Sequence, residues 1–234
     1  MIRELLAGSI TVLKDEKAIV VANREEAAGL AGFPVRLPAI RQDAPHLRVE
    51  GEHAFYLTVN RQLIEPFLNL VNRSDLKLPE GLDGARVTVD IPRTVLVSYG
   101  PCPESPGPVP DPSRLVSCLR LAQAPTASVI TVPELNLGQL AEIGLQVSGM
   151  TLEQARSFSS AMDWTSTLAI PVPLESASYE AVVIDGQKGV LMLGRPRWNW
   201  PERWSLIWVK DGRVYWLAGF GDPGVAVATA ESLR

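Results

Sequence analysis

Apolar and polar residues alternate most regularly in the last third of the chain, which predicts four β-strands there. The strands cover Tyr179–Ile184, Gly189–Leu193, Trp204–Val209 and Arg213–Leu217. Asp185–Gly186 lies between the first two strands, and Asp211–Gly212 lies between the last two. Because Asp-Gly favours the type I′ turn of a short hairpin connection, this pattern predicts two antiparallel β-hairpins.

Shorter β patterns precede these hairpins. They cover Leu47–Val49, Ala54–Val59, Ala85–Ile91, Thr94–Tyr99, Arg114–Leu121 and Ser128–Val132. The first pattern and the second are joined across Glu50-Gly51-Glu52, and this short connection predicts a third hairpin. Pro92 stands between the third pattern and the fourth, and it predicts a bend or a sheet edge because proline has no N–H to donate to a neighbouring strand.

Three helix starts are marked by capping boxes. In this motif an Asn or Thr side chain accepts a hydrogen bond from a backbone amide of the first turn, and a Glu or Gln three residues later reaches back. The pairs are Asn23 with Glu26, Asn136 with Gln139, and Thr151 with Gln154. They predict helices over residues 24–30, 136–147 and 151–162.

Two further helices are predicted, and they complete the fold class. Apolar residues recur at helical spacing between Asn60 and Asn72, where Pro66 either kinks the helix or belongs to its first turn. Asp222 as the N-cap and Pro223 at the first helical position predict a closing helix to Ser232. Together the patterns predict an α+β fold, in which an antiparallel β-sheet carries helices on one side.

Composition and charge exclude several classes of protein. The 234 residues are 46% hydrophobic and 21% charged, so the chain can bury a core, either as one domain or as two lobes of about 1–125 and 126–234. The formal net charge of -4 argues against nucleic acid or anionic lipid as a bulk partner. No apolar run reaches the roughly 18 residues that a membrane helix needs, and the N-terminus does not have the pattern of a signal peptide.

The residues that could carry metal or nucleophilic chemistry are few. With only His46, His53 and two cysteines, no zinc site and no cofactor is predicted. Both histidines are predicted to be solvent-facing loop residues, because no nearby acid is an evident orienting partner, so a hydrolase is disfavoured. Cys102 and Cys118 are either two separate small apolar residues or a disulfide, which would close a loop of about 15 residues and stabilise the fold by about 3 kcal/mol.

Tryptophan is concentrated near the C-terminus, where five of the six residues lie between positions 198 and 216. Trp204 and Trp208 share one face of a predicted strand and are therefore assigned to the core. Trp198 and Trp200 lie beside Arg195 and Arg197 in a proline-containing segment. This composition is typical of an interface that binds a protein, a sugar or a lipid. The alternative is that both rings fold back and cover the sheet.

The order of these pieces resembles a known family. The segments concerned are Ala27–Pro38, Gly149–Ala155, Asp163–Leu168, Ile170–Pro173, Ile184–Gly186, Leu206–Trp208, Asp211–Gly212, Tyr215–Gly219 and Ala230–Leu233. They are similar to the extracytoplasmic domains of bacterial transmembrane anti-sigma factors, in which a cytoplasmic segment binds a sigma factor and one helix crosses the membrane. Met1–Leu6 resembles the helix that follows such a span. This chain has neither the span nor the sigma-binding segment, so direct binding of a sigma factor is not expected of it.

The resemblance implies a location, a fold and a function. It implies an extracytoplasmic domain, at the outer face of the cell membrane or in the periplasm, anchored only through a missing N-terminal segment. The oxidising compartment favours the disulfide between Cys102 and Cys118. The family carries no known catalytic residues. Its fold is similar to the curved antiparallel half-barrel of periplasmic lipoprotein carriers. In this chain, one such sheet would contain the predicted strands Ala85–Ile91, Thr94–Tyr99, Arg114–Leu121, Tyr179–Leu193 and Trp204–Leu217.

Two functions follow from the resemblance. The first is a non-enzymatic sensor or regulatory domain that binds a partner protein or a ligand, with Arg195, Arg197, Trp198 and Trp200 as candidate binding residues. The second is a carrier that binds a lipid or another apolar small molecule in a cleft between sheet and helices.

Overall fold

Two antiparallel β-sheets form the framework of the protein. The computed structural model describes residues 10–102, 111–160, 176–194 and 200–234. The strands are β1 (Ile10–Asp15), β2 (Ile19–Val21), β3 (His46–Glu50), β4 (His53–Thr58), β5 (Arg86–Ile91), β6 (Thr94–Tyr99), β7 (Leu119–Pro125), β8 (Ser128–Thr131), β9 (Ser176–Ile184), β10 (Gln187–Gly194), β11 (Arg203–Lys210) and β12 (Arg213–Phe220). The smaller sheet has the order β1-β4-β5-β8, and the larger has the order β2-β3-β6-β7-β12-β11-β10-β9.

Five α-helices and one 3-10 helix accompany the sheets in the described residues. They are α1 (Arg24–Ala31), α2 (Arg61–Leu70), α3 (Leu137–Val147), α4 (Leu152–Ser160), α5 (Val225–Glu231) and the 3-10 helix Pro112–Ser117. Ala27 of α1 and Ala230 of α5 join the apolar core of the larger sheet, while Leu137 of α3 joins the core of the smaller sheet. Antiparallel sheets with helices packed on them fit the predicted α+β class.

The first eight strands are divided equally between the two sheets. Each consecutive pair, from β1 and β2 to β7 and β8, gives one strand to each sheet, and the pairs follow the same order in both. Contacts accordingly group the chain into unit 1 (Met1–Glu16, Glu52–Pro92 and Thr126–Leu174) and unit 2 (Lys17–Gly51, Arg93–Pro125 and Glu175–Arg234). The units are therefore interleaved along the chain, unlike two sequential lobes of 1–125 and 126–234.

The hairpin predicted between residues 47 and 59 is wrong. β3 pairs with β2 and β6, whereas β4 pairs with β1 and β5, so the two strands lie in different sheets. Leu47 and Val49 enter the core of the larger sheet, while Leu57 packs against the core of the smaller one. The carbonyl of Glu52, just before β4, accepts a hydrogen bond at 3.1 Å from the N–H of Glu16, just after β1. This bond connects the start of β4 to the end of β1. The prediction of one sheet that contains Ala85–Ile91, Thr94–Tyr99, the strand after 114 and the C-terminal hairpins is also wrong, because β5 lies in the smaller sheet and the others lie in the larger one.

The strand predicted over 114–121 begins only at Leu119. The carboxylate of Asp111 accepts hydrogen bonds from the N–H and the hydroxyl of Ser113, at 3.0 and 2.9 Å, and Pro112 occupies the first turn. These interactions cap a helical turn. The turn ends where the N–H of Cys118 donates to the carbonyl of Leu115 at 2.8 Å. The prediction of a strand over 114–117 is therefore wrong.

The predicted closing helix is confirmed, but it begins later than its N-cap pattern indicates. The carboxylate of Asp222 accepts from the N–H of Gly224 at 2.8 Å, and this bond forms a turn ahead of the helix. α5 then runs from Val225 to Glu231. The prediction that the helix starts at Pro223 is wrong, because the Asp222 side chain caps this separate turn instead of the helix.

Local rules are confirmed at the capping boxes and at the Asp-Gly turns. Asn23, Asn136 and Thr151 each accept a hydrogen bond from the backbone amide three residues later. Both residues of each Asp-Gly pair have positive φ, at 48° and 75° in the first hairpin and 52° and 68° in the second, as type I′ turns require. Pro66 lies inside α2, and Met162 lies outside the described residues.

Candidate functional site

The tryptophans of the C-terminal hairpin divide into core and non-core residues. Trp204 and Trp208 are almost fully buried, which confirms their assignment to the core, and Trp208 stacks on Tyr215 with 5.1 Å between ring centroids. Trp204 lies against Gly219, where an added Cβ would come within 2.5 Å of the indole ring. In the core of unit 2, the indole ring of Trp204 therefore occupies space that any side chain larger than hydrogen at position 219 would need.

The predicted binding segment is only partly described. Arg195, Arg197 and Trp198 lie outside the described residues. Trp200 is half-buried and stands three residues ahead of β11. Trp204 and Trp208 fill the core, whereas Trp200 is only half-buried. A binding role for the four residues stays a prediction.

Replacing Trp198 and Trp200 together by alanine tests that role. If the two rings bind a partner, the midpoint of thermal unfolding should change by no more than a few degrees while partner binding falls at least tenfold. Circular dichroism measures the first quantity, and a binding titration measures the second. Trp204→Ala is the matched control, because removing a buried ring should cost about 3–5 kcal/mol of stability. A comparable loss of stability in the double variant would place both rings in the core.

A second candidate surface lies on the smaller sheet, at its β1 edge. Val12, Phe55, Val89 and Val129 form one cross-strand row. Val89 and Val129 are buried, Phe55 is half-buried, and Val12 is 64% exposed. The neighbouring row repeats the trend: Val87 is buried, Leu57 is half-buried and Ile10 is exposed. One apolar sheet face is thus covered near β5 and open near β1.

We call Ile10, Val12, Phe55 and Leu57 the β1 apolar surface. The core that covers the rest of this face contains Val59, Leu82 and Leu135, with Ile64 of α2 and Leu140 of α3 packed against it. Sequence reasoning missed the surface, because no strand was predicted before residue 47. The run Ile-Thr-Val-Leu at positions 10–13 was the available signal, since β-branched and apolar residues favour strands.

Charged side chains fix the end of β1 to β4. Lys14 forms ion pairs with Glu52 and with Glu16, the latter at 3.1 Å, and its hydrogen bonds to Glu52 and then Glu16 raise the pKa of Lys14 above its usual value. Nδ1 of His53 lies 2.9 Å from a carboxylate oxygen of Asp15. The prediction that His53 is a loop residue without an acidic partner is therefore wrong: it is the first residue of β4 and contacts Asp15. His46 is exposed, but it opens β3 and is likewise not in a loop.

The two cysteines meet beside the larger sheet. Their Sγ atoms are 2.12 Å apart and their Cα atoms are 4.8 Å apart, which is a disulfide arrangement. Gly100 lies so close to the end of the 3-10 helix that an added Cβ would be 2.5 Å from the carbonyl oxygen of Ser117. The disulfide therefore joins two backbone segments that already pack tightly.

An arginine binds the same region. The guanidinium of Arg41 donates to the carbonyl of Ser117 at 3.1 Å, pairs with Asp43 and lies over the ring of Tyr99, 5.2 Å from its centroid. The hydrogen bond from Arg41 lowers the pKa of the Asp43 carboxyl. Burial, followed by the charge of Asp43, raises the pKa of Tyr99. This arrangement ties the 39–43 segment to the disulfide region.

The chain matches no protein-family model, no curated protein and no solved structure. Within the described residues, no helix combines the length and the apolar character needed to cross a membrane. In the same part of the chain, no group of three or more His, Cys, Asp and Glu side chains is placed to hold a metal ion. The candidate binding features are the β1 apolar surface in unit 1 and, separately, Trp200 in unit 2.

Proposed function

We propose that the chain is a non-enzymatic extracytoplasmic sensor or regulatory domain that binds a partner protein. The observation that carries this proposal is the β1 apolar surface, where a continuous apolar sheet face is left open at one edge. Exposed apolar groups that adjoin one another mark interaction sites, whereas scattered ones do not. The resemblance to extracytoplasmic anti-sigma-factor domains and the disulfide arrangement support the location outside the cytoplasm.

The charge of unit 1 indicates the chemistry of the partner. Unit 1 contains 7 basic and 13 acidic residues, a formal charge of -6, whereas unit 2 contains 15 and 13, a formal charge of +2. A partner that approaches β1 meets an apolar surface in an acidic unit. Its contacting segment should therefore combine apolar side chains with a neutral or positive charge, because complementary potentials favour association.

A carrier of apolar small molecules is the second candidate function. The cross-strand rows favour this function. They run from the exposed Val12 and Ile10 to Val89 and Val87, which belong to the buried core of the smaller sheet. An acyl chain that entered at the β1 edge would follow this apolar face. Similarity to the lipoprotein-carrier half-barrel is part of this proposal.

Val12→Glu tests the site common to both functions. A carboxylate buried in an apolar interface without a partner is costly, so binding should weaken at least tenfold. Val12 is exposed, so the thermal midpoint should stay within a few degrees of the wild-type value. The measurement is retention of envelope proteins of the source organism by immobilised wild-type and variant chains, quantified by mass spectrometry.

Val20→Glu is the matched control, because Val20 is also an exposed strand valine but lies on β2. A protein retained by the wild type and by Val20→Glu but lost from Val12→Glu supports the sensor proposal. Identical retention by all three chains contradicts the β1 site. Native mass spectrometry separates the carrier function, which requires an adduct of several hundred daltons that organic solvent removes and that Val12→Glu lacks.

A further inference from the structure

Two arginines of unit 2 keep their hydrogen-bond donors available. In the part of the chain that the structure describes, the guanidinium groups of Arg36 and Arg213 donate no hydrogen bond to another protein group. Arg36 lies 3.7 Å from a carboxylate oxygen of Asp211, and Arg213 lies over the ring of Phe33, 5.6 Å from its centroid. Because a guanidinium carries five N–H donors in a planar fork, both groups can bind an external acceptor.

Both arginines are held at the same end of the larger sheet. Arg36 reaches Asp211 in the turn before β12, and Arg213, the first residue of β12, reaches Phe33. Contacts between segments 33–36 and 211–213 therefore run in both directions. The buried side chain of Gln123 also binds the backbone of Arg36 through two hydrogen bonds, at 2.9 and 2.7 Å. The two guanidinium groups are thus positioned by the fold.

Further cations lie at this end of the sheet. Lys210 is directly opposite Arg213 across β11 and β12, and like charges in opposite positions destabilise a sheet. Lys210 donates a hydrogen bond to a carboxylate oxygen of Asp185 at 2.7 Å. This hydrogen bond, followed by nearby positive charges that include Arg234 and Arg36, lowers the pKa of the Asp185 carboxyl.

We call these charged residues the basic cluster of unit 2. Its cations are Arg36, Lys210, Arg213 and Arg234, and its carboxylates are those of Asp185 and Asp211. Four positive charges and two negative charges give the cluster a formal charge of +2.

We propose that the basic cluster binds a phosphate group that carries two negative charges. Such a group has a charge of about -1.5 to -2 at pH 7, which matches the excess of the cluster. Its oxygens can accept hydrogen bonds from two guanidinium forks, whereas a carboxylate offers one charge and two oxygens. The bound anion also reduces the repulsion between Lys210 and Arg213. The proposal concerns unit 2 and is independent of the β1 apolar surface in unit 1.

Arg213→Gln tests the site with inorganic phosphate as the probe. In a phosphate-free buffer, added phosphate should shift the amide NMR resonances of Gly186 and Gly212 saturably in the wild type, because both glycines lie in the turns that carry the carboxylates. The variant should weaken binding at least tenfold, since it removes a charge-assisted contact. Arg36→Gln should weaken it to a similar extent and provides a second variant if Arg213→Gln does not fold.

Arg203→Gln is the matched control. Arg203 is an exposed cation at the other end of β11, about 23 Å along the strand from Lys210. Its replacement removes the same charge from the protein and should leave the affinity for phosphate within twofold of the wild-type value. Circular dichroism checks that all three variants fold.

Each outcome decides the proposal. The absence of saturable shifts up to tens of millimolar phosphate overturns it. Equal affinities of the wild type and Arg213→Gln overturn it too, because the ion then binds elsewhere. A loss of the same size in Arg203→Gln also overturns it, because net charge alone would then account for the effect. A loss confined to Arg213→Gln and Arg36→Gln supports it.

Vesicles then distinguish the sources of the phosphate group. Co-sedimentation with vesicles that contain phosphatidic acid, but not with pure phosphatidylcholine vesicles, supports the site with a lipid headgroup as its ligand if Arg213→Gln abolishes it. Binding of inorganic phosphate without co-sedimentation supports the site with a soluble phosphate compound as its ligand. Neither result depends on the retention of partners at β1.

Discussion

Replacing Cys102 and Cys118 together by alanine is expected to lower the free energy of unfolding by about 3 kcal/mol. The two cysteines are 16 positions apart, so the bridge removes much of the freedom of the connecting chain in the unfolded state. In the folded state it holds the end of β6 against the start of β7, where Gly100 and Ser117 are in close contact. Without the bridge, that packing depends on Arg41 and on the capped turn at Asp111.

Urea denaturation of the wild type with and without a reductant measures this effect. The double alanine variant is the control for the reductant. It has no disulfide to reduce, so its unfolding midpoint should be the same with and without the reductant. Protein produced in an oxidising compartment should also be two daltons lighter than its reduced form. Equal stability with and without the reductant, together with free thiols in such protein, would contradict the disulfide and remove its support for an extracytoplasmic location.

Structure that depends on neighbouring residues could be predicted from the sequence. The Asp-Gly turns place two residues at positive φ wherever they occur between strands, and the capping boxes satisfy helix amides within three residues. Trp204 and Trp208 are four positions apart in β11. Because the side chains of a strand alternate between its two faces, both were predicted to lie on the same face, and both are buried in the core. None of these inferences requires knowledge of a distant partner.

Pairing between strands could not be predicted in the same way. A Glu-Gly-Glu connection is compatible with a hairpin and also with passage to another sheet, and the neighbours of β3 and β4 decide between them. Likewise, alternation of apolar residues over 114–121 continues through a 3-10 helix, in which Leu115 is fully buried. Local periodicity identifies buried positions, but it does not say which core receives them.

The candidate site shows the same limit. Tryptophan beside arginine marked residues 195–200 by composition, but the β1 apolar surface has no unusual composition. Its character comes from position: Val12 and Val89 are both valines on one sheet face, and only the one on the edge strand is exposed. The contact of His53 with Asp15 likewise depends on the pairing of β1 with β4.

Gln123→Leu is expected to destabilise the protein by about 2–4 kcal/mol, because it leaves the backbone N–H and C=O of the half-buried Arg36 without their side-chain partners. Gln123 lies in β7 and is fully buried. Its side-chain carbonyl accepts from the N–H of Arg36 at 2.9 Å, and its amide donates to the carbonyl of Arg36 at 2.7 Å. The next residue, Leu37, exchanges two backbone hydrogen bonds with Arg234, at 3.0 and 3.1 Å. The side chain of Gln123 therefore positions Arg36, and the next residue, Leu37, hydrogen-bonds to Arg234.

Gln187→Leu is the matched control, because Gln187 is exposed on a strand of the same sheet and its replacement should change stability by no more than about 0.5 kcal/mol. Urea denaturation gives the stabilities, and hydrogen exchange gives a local readout. In Gln123→Leu the amides of Arg36, Leu37 and Arg234 should exchange faster than in the wild type, beyond the change in global stability. Equal losses for the two variants would mean that water satisfies Arg36 when the glutamine is gone. Faster exchange confined to these amides would show that the buried glutamine, and not apolar packing alone, fixes the C-terminal segment to the sheet.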